Sequence, residues 1–177
     1  IAALIQYELA AHYVNTSQKY YTRSQDNRQM LRVNALAIAE KVIEKYPNSE
    51  GSIKCQILKK KIKQRSLKFK IQEYTTANKP MLSRVSLRNI DTVYLKTYQI
   101  SHTFLEGVKY NKRDSVIAAY IKGNKPVLEK SYDTKIPKDY YDHSIEISIP
   151  KLPVGKYLVT LSDGSHHYKK SEVLAYD

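Results

Sequence analysis

The sequence predicts an α+β chain, with antiparallel helices at the N-terminus followed by an immunoglobulin-like β-sandwich that carries a helical insertion. Two observations carry this. Apolar residues recur every three or four positions up to about residue 65, and from Leu67 onward they alternate, so the buried face changes from a helical stripe to one side of a sheet. A third observation sets the boundaries: the alternation lapses between about 101 and 143, where a helical pattern returns. The expected domains are 1–65, helical, and 66–177, the sandwich with its insertion at about 101–143.

In the first segment, roughly Ala2–Thr16, the residues Ala3, Tyr7, Ala10 and Val14 lie on one side. Over Asp26–Tyr46, Leu31, Ala35, Ile38, Ala39, Val42, Ile43 and Tyr46 form one stripe, and Asp26 followed by Gln29 is a capping-box arrangement. Pro47-Asn48-Ser49 ends that helix and caps the next, in which Ile53, Ile57, Leu58 and Ile62 are expected to share a face. The small Ala35 and Ala39 would admit a neighbouring helix closely. With Tyr46-Pro47-Asn48 at the exit, this stretch resembles the second helix of a tetratricopeptide-like unit. Such units stack because they cannot bury their faces alone. Three helices are too few for an array, so the segment reads as the tail of a helical repeat with earlier helices upstream. The ends agree with that expectation: Ile1-Ala2-Ala3-Leu4-Ile5 reads as helix interior and Ser171–Asp177 as strand, as in a piece of a longer chain.

Leu67, Phe69 and Ile71 alternate with Lys68, Lys70 and Gln72, the pattern of a half-buried strand. Met81–Leu87 and Val93–Tyr98 give two more, with Asn89-Ile90-Asp91 turning between them. Ser144–Ile149 points Ile145, Ile147 and Ile149 inward, and Lys156–Leu161 and Glu172–Tyr176 flank an Asp163-Gly164 hairpin signal. Short strands at this spacing read as a sandwich. Leu152-Pro153-Val154-Gly155-Lys156-Tyr157 reads as a tyrosine corner built on Gly155 and Tyr157, with the phenol bonded back to upstream backbone; the plainer reading is a turn before a strand that contains Tyr. Within the insertion, Asn111 caps a helix over Lys112–Ile121 with Asp114 at its third position. Val116, Ile117, Tyr120 and Ile121 supply its apolar face, and Gly123 ends it. Val127–Ile136 reads as an edge strand and Pro137–His143 as a loop.

Composition narrows the functional classes. Of 177 residues, 30 are Lys or Arg and 17 Asp or Glu, a formal charge of +13. The excess is spread: residues 1–66 hold 12 basic and 5 acidic side chains, residues 67–177 hold 18 and 12. The one dense run, Lys59-Lys60-Lys61, Lys63 and Arg65, winds round a helix end, where cations suit the C-terminal dipole. No helix-turn-helix, zinc-finger spacing or aromatic RNA-binding motif accompanies it, so no nucleic-acid partner is expected. No apolar run reaches the ~18 residues of a membrane span. One Cys excludes an intrachain disulfide framework.

The search for chemistry finds no catalytic constellation. The five His are His12, His102, His143, His166 and His167, and the adjacent pair would point to opposite faces of a strand. Cys55, between Ile53 and Ile57, reads as a small core residue. Asp139 and Asp142 frame Tyr140-Tyr141 in a loop whose spacing fixes no geometry. Glycine-rich phosphate loops, G-x-S-x-G and H-E-x-x-H are absent. The expectation is no enzyme activity, no cofactor and no metal. The abundant tyrosines (16, with two Phe and no Trp) admit two readings. Either they replace other aromatics along half-buried strand edges, or Tyr74, Tyr94, Tyr98, Tyr120, Tyr132, Tyr140 and Tyr141 make a protein- or glycan-facing surface, with Tyr120, Tyr132, Tyr140 and Tyr141 as the candidate interaction site.

The order of parts resembles the N-terminal portion of large alpha-2-macroglobulin-family proteins from Bacteroides-type bacteria across residues ~30–177. The stretches that carry the likeness are Ile38–Gly51, Val85–Leu95 with Arg88-Asn89-Ile90, and His143–Val159 with Ile145-Glu146-Ile147 and Leu152–Tyr157. The resemblance implies a macroglobulin-type sandwich, the first of a series, in a parent exported to the periplasm or cell envelope. It implies partners within the same parent chain, and target proteases reached through the parent, which is cut in a bait segment, rearranges and traps them. Many members carry a thioester in a C-x-E-Q context; Cys55 is followed by Gln56-Ile57-Leu58, which departs from it, and no bait segment is identifiable.

The function expected is a non-catalytic scaffold fragment of a large cell-envelope, alpha-2-macroglobulin-like, broad-spectrum protease inhibitor. The alternative is a free-standing cell-surface glycan- or peptide-binding module, in which the insertion and its tyrosines grip the ligand.

Overall fold

A computed structural model describes residues 1–18, 27–101, 103–104, 113–165 and 168–176. The chain is α+β and divides into two compact units. One comprises Ile1–Arg65 together with Pro137–Asp142; the other comprises Ser66–Ile136 and His143–Asp177.

The helical unit contains α1 (Ala2–Ser17), a 3₁₀ turn at Asn27–Met30, α2 (Leu31–Lys45) and α3 (Glu50–Lys63). Its core is built from small side chains: Ala10, Ala35, Ala39, Val42 and Cys55 are all 0% exposed. Small residues bring helix axes close. The extreme case is Gly51, where a Cβ would stand 2.5 Å from the Ala3 carbonyl carbon, so α1 and α3 meet nearly backbone to backbone. Ser49 caps α3 as the sequence predicts, its Oγ accepting the Ser52 N–H at 3.1 Å. The Asp26 half of the predicted capping box lies outside the described residues; α2 is entered through the 3₁₀ turn, with Met30 at the cap position and no side-chain bond there. Across α2 and α3, Glu40 receives Lys59 at 2.9 Å and Lys63 at 3.1 Å. Hydrogen bonds from these two ammonium groups hold its carboxyl below the ordinary carboxylate range. All three side chains are well exposed, so these pairs contribute little to stability.

One expectation fails within α3. Leu58 and Ile62 are buried with Cys55, but Ile53 is 56% and Ile57 64% exposed. At about 100° per residue, Ile53 and Ile57 point away from the arc that holds Gly51, Cys55, Leu58 and Ile62, so the four aliphatics cannot share one face.

Among its described residues the second unit contains the strands β1 (Ser66–Lys70), β2 (Tyr74–Thr76), β3 (Met81–Arg88), β4 (Thr92–Gln99), β5 (Leu128–Asp133), β6 (His143–Ile149), β7 (Gly155–Ser162) and β8 (Tyr168–Tyr176), with the helix α4 (Arg113–Gly123) between β4 and β5. Strands β1-β3-β6 form one sheet, and β2-β8-β7-β4-β5 the other. Every pairing is antiparallel except β2 with β8. The alternation read from the sequence is what fills the core. Met81, Val85, Leu87, Ile147 and Ile149 from the first sheet meet Val93, Leu95, Tyr157, Val159 and Leu161 from the second in one apolar cluster. The Asn89 turn takes φ 57°, a left-handed position that Asn tolerates. The three-residue β2 was not predicted: Tyr74-Thr75-Thr76 is too short to show a period, and its partner β8 lies about a hundred residues on. Asn111, the predicted cap of the insertion helix, lies outside the described residues, as do His166 and His167.

Candidate functional site

On β4 the residues Val93, Leu95 and Thr97 point into the core, so Tyr94, Lys96 and Tyr98 point out. Register places Lys96 directly opposite Glu129 of β5 and Thr160 of β7, and Tyr94 opposite Ser131 and Ser162. The far end of this outer face is closed by α4: Ile117 is 1% exposed and packs with Tyr98, Ile100 and Leu158, flanked by Val116, Tyr120 and Ile121. The other end is bounded by the β7–β8 turn, where Gly164 (φ 82°) lies so close to the Tyr94 ring that a Cβ would stand 3.1 Å from its Cε2. Between these limits lies an open groove of about 520 Å³, lined by Tyr94, Lys96, Tyr98, Ile121, Glu129, Thr160, Ser162, Gly164 and Ser165.

The groove has mixed polar and apolar walls and is close to neutral. Lys96 Nζ stands 2.8 Å from Glu129 Oε1, and this hydrogen-bonded pairing raises the lysine's pKa above its ordinary value. Thr160 donates to the Lys96 carbonyl at 3.2 Å, Ser162 Oγ accepts from the Gly164 N–H at 3.4 Å, and Ser165 Oγ bonds Asp163 Oδ1 at 2.5 Å. Tyr94 is 40% exposed while Tyr98 is 3% exposed, so one ring is presented and the other forms the floor.

The four tyrosines expected to form an interaction site stand in three separate places. Tyr120, on α4, donates to the Gln99 carbonyl at 2.8 Å and packs against Tyr98 and Phe104. Tyr132, on β5, donates to the Ser148 carbonyl, with Lys130 over its ring at 4.8 Å. Burial pushes its phenol above the usual range. Tyr140 and Tyr141 belong to the helical unit, which takes in Pro137–Asp142, residues expected in the 101–143 insertion of the second domain. Arg32 Nη1 donates to the Tyr140 carbonyl at 2.6 Å, and the Tyr141 phenol donates to the Arg28 carbonyl at 2.7 Å. Asp139 is 3% exposed and its Oδ1 accepts the Tyr141 N–H at 3.0 Å. Three of the four phenols are thus committed to backbone carbonyls, and none of the four lines the groove. Tyr94 and Tyr98, which belong to the wider set of seven tyrosines expected to offer a surface, do line it; what the sequence does not show is that β5 brings Glu129 to Lys96 and β7 sets hydroxyls beside them.

Elsewhere, Tyr157 is 2% exposed and donates to the Pro153 carbonyl at 3.0 Å, just after Gly155 at φ 155°. Cys55 is buried and desolvation pushes its thiol up, away from the reactive thiolate. Among the described residues no group of three or more His, Cys, Asp or Glu side chains could hold a metal ion, and no helix is long and apolar enough to cross a membrane.

No family model matches the chain, and no curated protein does. Several solved structures show partial likeness. A β-glucosidase from Listeria innocua in complex with gluconolactone aligns at 9% identity and TM-score 0.40 over 64% of this chain and 16% of its own. A superoxide reductase (neelaredoxin) from Ignicoccus hospitalis aligns at 12% identity and TM-score 0.31 over 63% and 79%. A Pseudomonas fluorescens alkylpurine DNA glycosylase bound to DNA containing an abasic site analog aligns at 8% identity and TM-score 0.35 over 95% and 51%. At these scores the likenesses carry no argument about fold or function.

Proposed function

We propose that this chain is a non-catalytic scaffold segment of a large cell-envelope protein that inhibits proteases in the alpha-2-macroglobulin manner. The observation that carries the scaffold role is the set of aliphatic side chains that the helical unit leaves outside its own core. Ile5 and Leu9 on α1 are 64% and 45% exposed, and Ile53 and Ile57 on α3 are 56% and 64% exposed, each pair one turn apart. Helices that are apolar on the side away from their own bundle are suited to stacking against further helices, as a tetratricopeptide-like tail requires.

Two features of the second unit support the sandwich half of the reading. With the short β2 set aside, the first, second and fifth of the remaining strands share one sheet and the third, fourth, sixth and seventh share the other. A constant-type immunoglobulin sandwich keeps its fourth strand with the first, second and fifth; here that strand lies beside the third instead, a division that supports a related Greek key. The Tyr157–Pro153 bond falls at the start of the sixth strand, where a tyrosine corner belongs. The outward aliphatics and buried phenols suit packing against other domains of the same chain; target proteases would be met by the assembled parent.

The test is the complete open reading frame on both sides of this segment. An export signal upstream and successive β-domains downstream are the expected result. A stop codon immediately after Asp177 would overturn the scaffold reading.

A further inference from the structure

We propose that the groove on the outer face of the five-stranded sheet is a subsite for one or two units of a neutral saccharide, seated on Tyr94 beside the Lys96–Glu129 pair. This goes beyond the scaffold reading and stands independently of it.

The argument is chemical. A pyranose ring offers an apolar C–H face and a rim of hydroxyls that both donate and accept. An exposed aromatic face next to clustered hydrogen-bond donors and acceptors suits it. Tyr94 supplies the face: the residue is 40% exposed, and its ring is backed by Gly164, whose lack of a side chain lets the turn lie against it. A ring held this way loses little freedom on binding. Lys96 and Glu129 supply the donor and the acceptor, 2.8 Å apart and 39% and 56% exposed, so both heads reach solvent while engaged with each other. An ammonium keeps two further N–H donors and a carboxylate keeps further lone pairs after one contact. Ser162 and Ser165 add hydroxyls along the β7–β8 side. The floor of Tyr98 and Leu158 is buried under α4, so the platform is fixed.

The same features disfavour other ligands. A phosphate or acidic peptide would meet Glu129, and a cationic ligand would meet Lys96. A peptide laid on a sheet face finds no free backbone to pair with, since β4 is flanked by β5 and β7. The volume of about 520 Å³ lies within the range of small-ligand sites, roughly 300–1,000 Å³.

The experiment is an amide ¹H–¹⁵N titration of the whole chain with cellobiose, maltose and N,N′-diacetylchitobiose, with tetra-alanine run in parallel. Additions reach about 20 mM, enough to saturate a site with Kd of about 1 mM. At least one disaccharide is expected to give saturable shifts confined to residues 94–98, 129–131 and 158–165. Tyr94→Ala is expected to weaken that binding about tenfold or more, and Glu129→Gln to weaken it severalfold, whereas Tyr74→Ala, an exposed tyrosine outside the groove, leaves it unchanged. Absence of saturable shifts with all three sugars, shifts centred elsewhere, shifts that survive Tyr94→Ala, or saturation by tetra-alanine alone would each overturn the assignment. The Glu129→Gln variant keeps the test intact if Tyr94→Ala does not fold.

Discussion

The guanidinium of Arg32 lies over the ring of Tyr141, 4.4 Å from its centroid. From the same fork, Nη1 reaches the Tyr140 carbonyl at 2.6 Å and Nε reaches Ser17 Oγ at 3.0 Å. One side chain on α2 therefore joins the end of α1 to a loop more than a hundred residues away, which explains why Pro137–Asp142 belong with the helices. Tyr140 sits at φ 64°, a left-handed conformation that costs a non-glycine residue about 1 kcal/mol or more. The Arg32 contact to its carbonyl, with the buried Asp139–Tyr141 bond beside it, offsets that cost.

Arg32→Ala is accordingly expected to destabilise the helical unit by about 2–3 kcal/mol, since a charge-assisted bond to a carbonyl and a cation–π contact are lost together. Arg32→Lys should recover less than half, because an ammonium cannot span the carbonyl, the hydroxyl and the ring at once. Urea unfolding followed by circular dichroism at 222 nm measures both; equal stability of all three proteins would show the loop to be held by other groups.

The fold was legible where residues repeat a local rule. Alternation in Met81–Leu87 and Ile145–Ile149, the Ser49 cap and the turn at Asn89 all act within a few positions, and those elements stand where the sequence put them. What was not legible depends on partners distant in sequence. Nothing near Tyr140 announces Arg32, and nothing near Lys96 announces Glu129. A tyrosine that spends its phenol on a carbonyl, as Tyr120 and Tyr132 do, looks in sequence like one available to a ligand. Ile53 and Ile57 are a different case: helical spacing already sets them off the face of Leu58 and Ile62, and what the sequence leaves open is which of the two aliphatic faces turns inward.

That ambiguity gives a test in adjacent residues. Leu58 is 8% exposed and packs in the helical core, and Ile57 is 64% exposed. Leu58→Ala should lower unfolding free energy by about 2–4 kcal/mol, through lost burial and the cavity left behind. Ile57→Gln should stay within about 0.5 kcal/mol of the parent. Denaturant midpoints decide it, and a large loss in Ile57→Gln would mean that this face is covered in the isolated chain.

Gly51 sets two opposing effects against each other. Gly→Ala gains about 0.8–1 kcal/mol of propensity in a helix interior, and less at Gly51, the second residue of α3. Here the new methyl would meet Ala3 backbone atoms at 2.5 and 2.6 Å, contacts that no side-chain rotation relieves. Moving α1 away from α3 costs about 1–3 kcal/mol, so the net expectation is destabilisation. A rise in thermal midpoint for Gly51→Ala would show the two helices to be more loosely apposed than their backbones suggest.

Tyr157 carries a pH prediction as well as a stability one. Its phenol is buried against the Pro153 carbonyl, and desolvation raises its pKa above the ordinary value of 10.0. The folded protein then holds this proton more tightly than the unfolded chain. The stabilisation is complete below about pH 10 and is lost as pH climbs from there through the folded-state value. Tyr132, raised for the same reason, adds to the effect. Tyr157→Phe should cost about 0.5–1.5 kcal/mol at neutral pH, for the lost bond. It should also shallow the alkaline fall in stability, because one of the two protons has been removed from the linkage. Unfolding free energies measured across pH 8–11 in both proteins test this; parallel curves would mean that Tyr157 is already as accessible to ionisation in the folded chain as in the unfolded one.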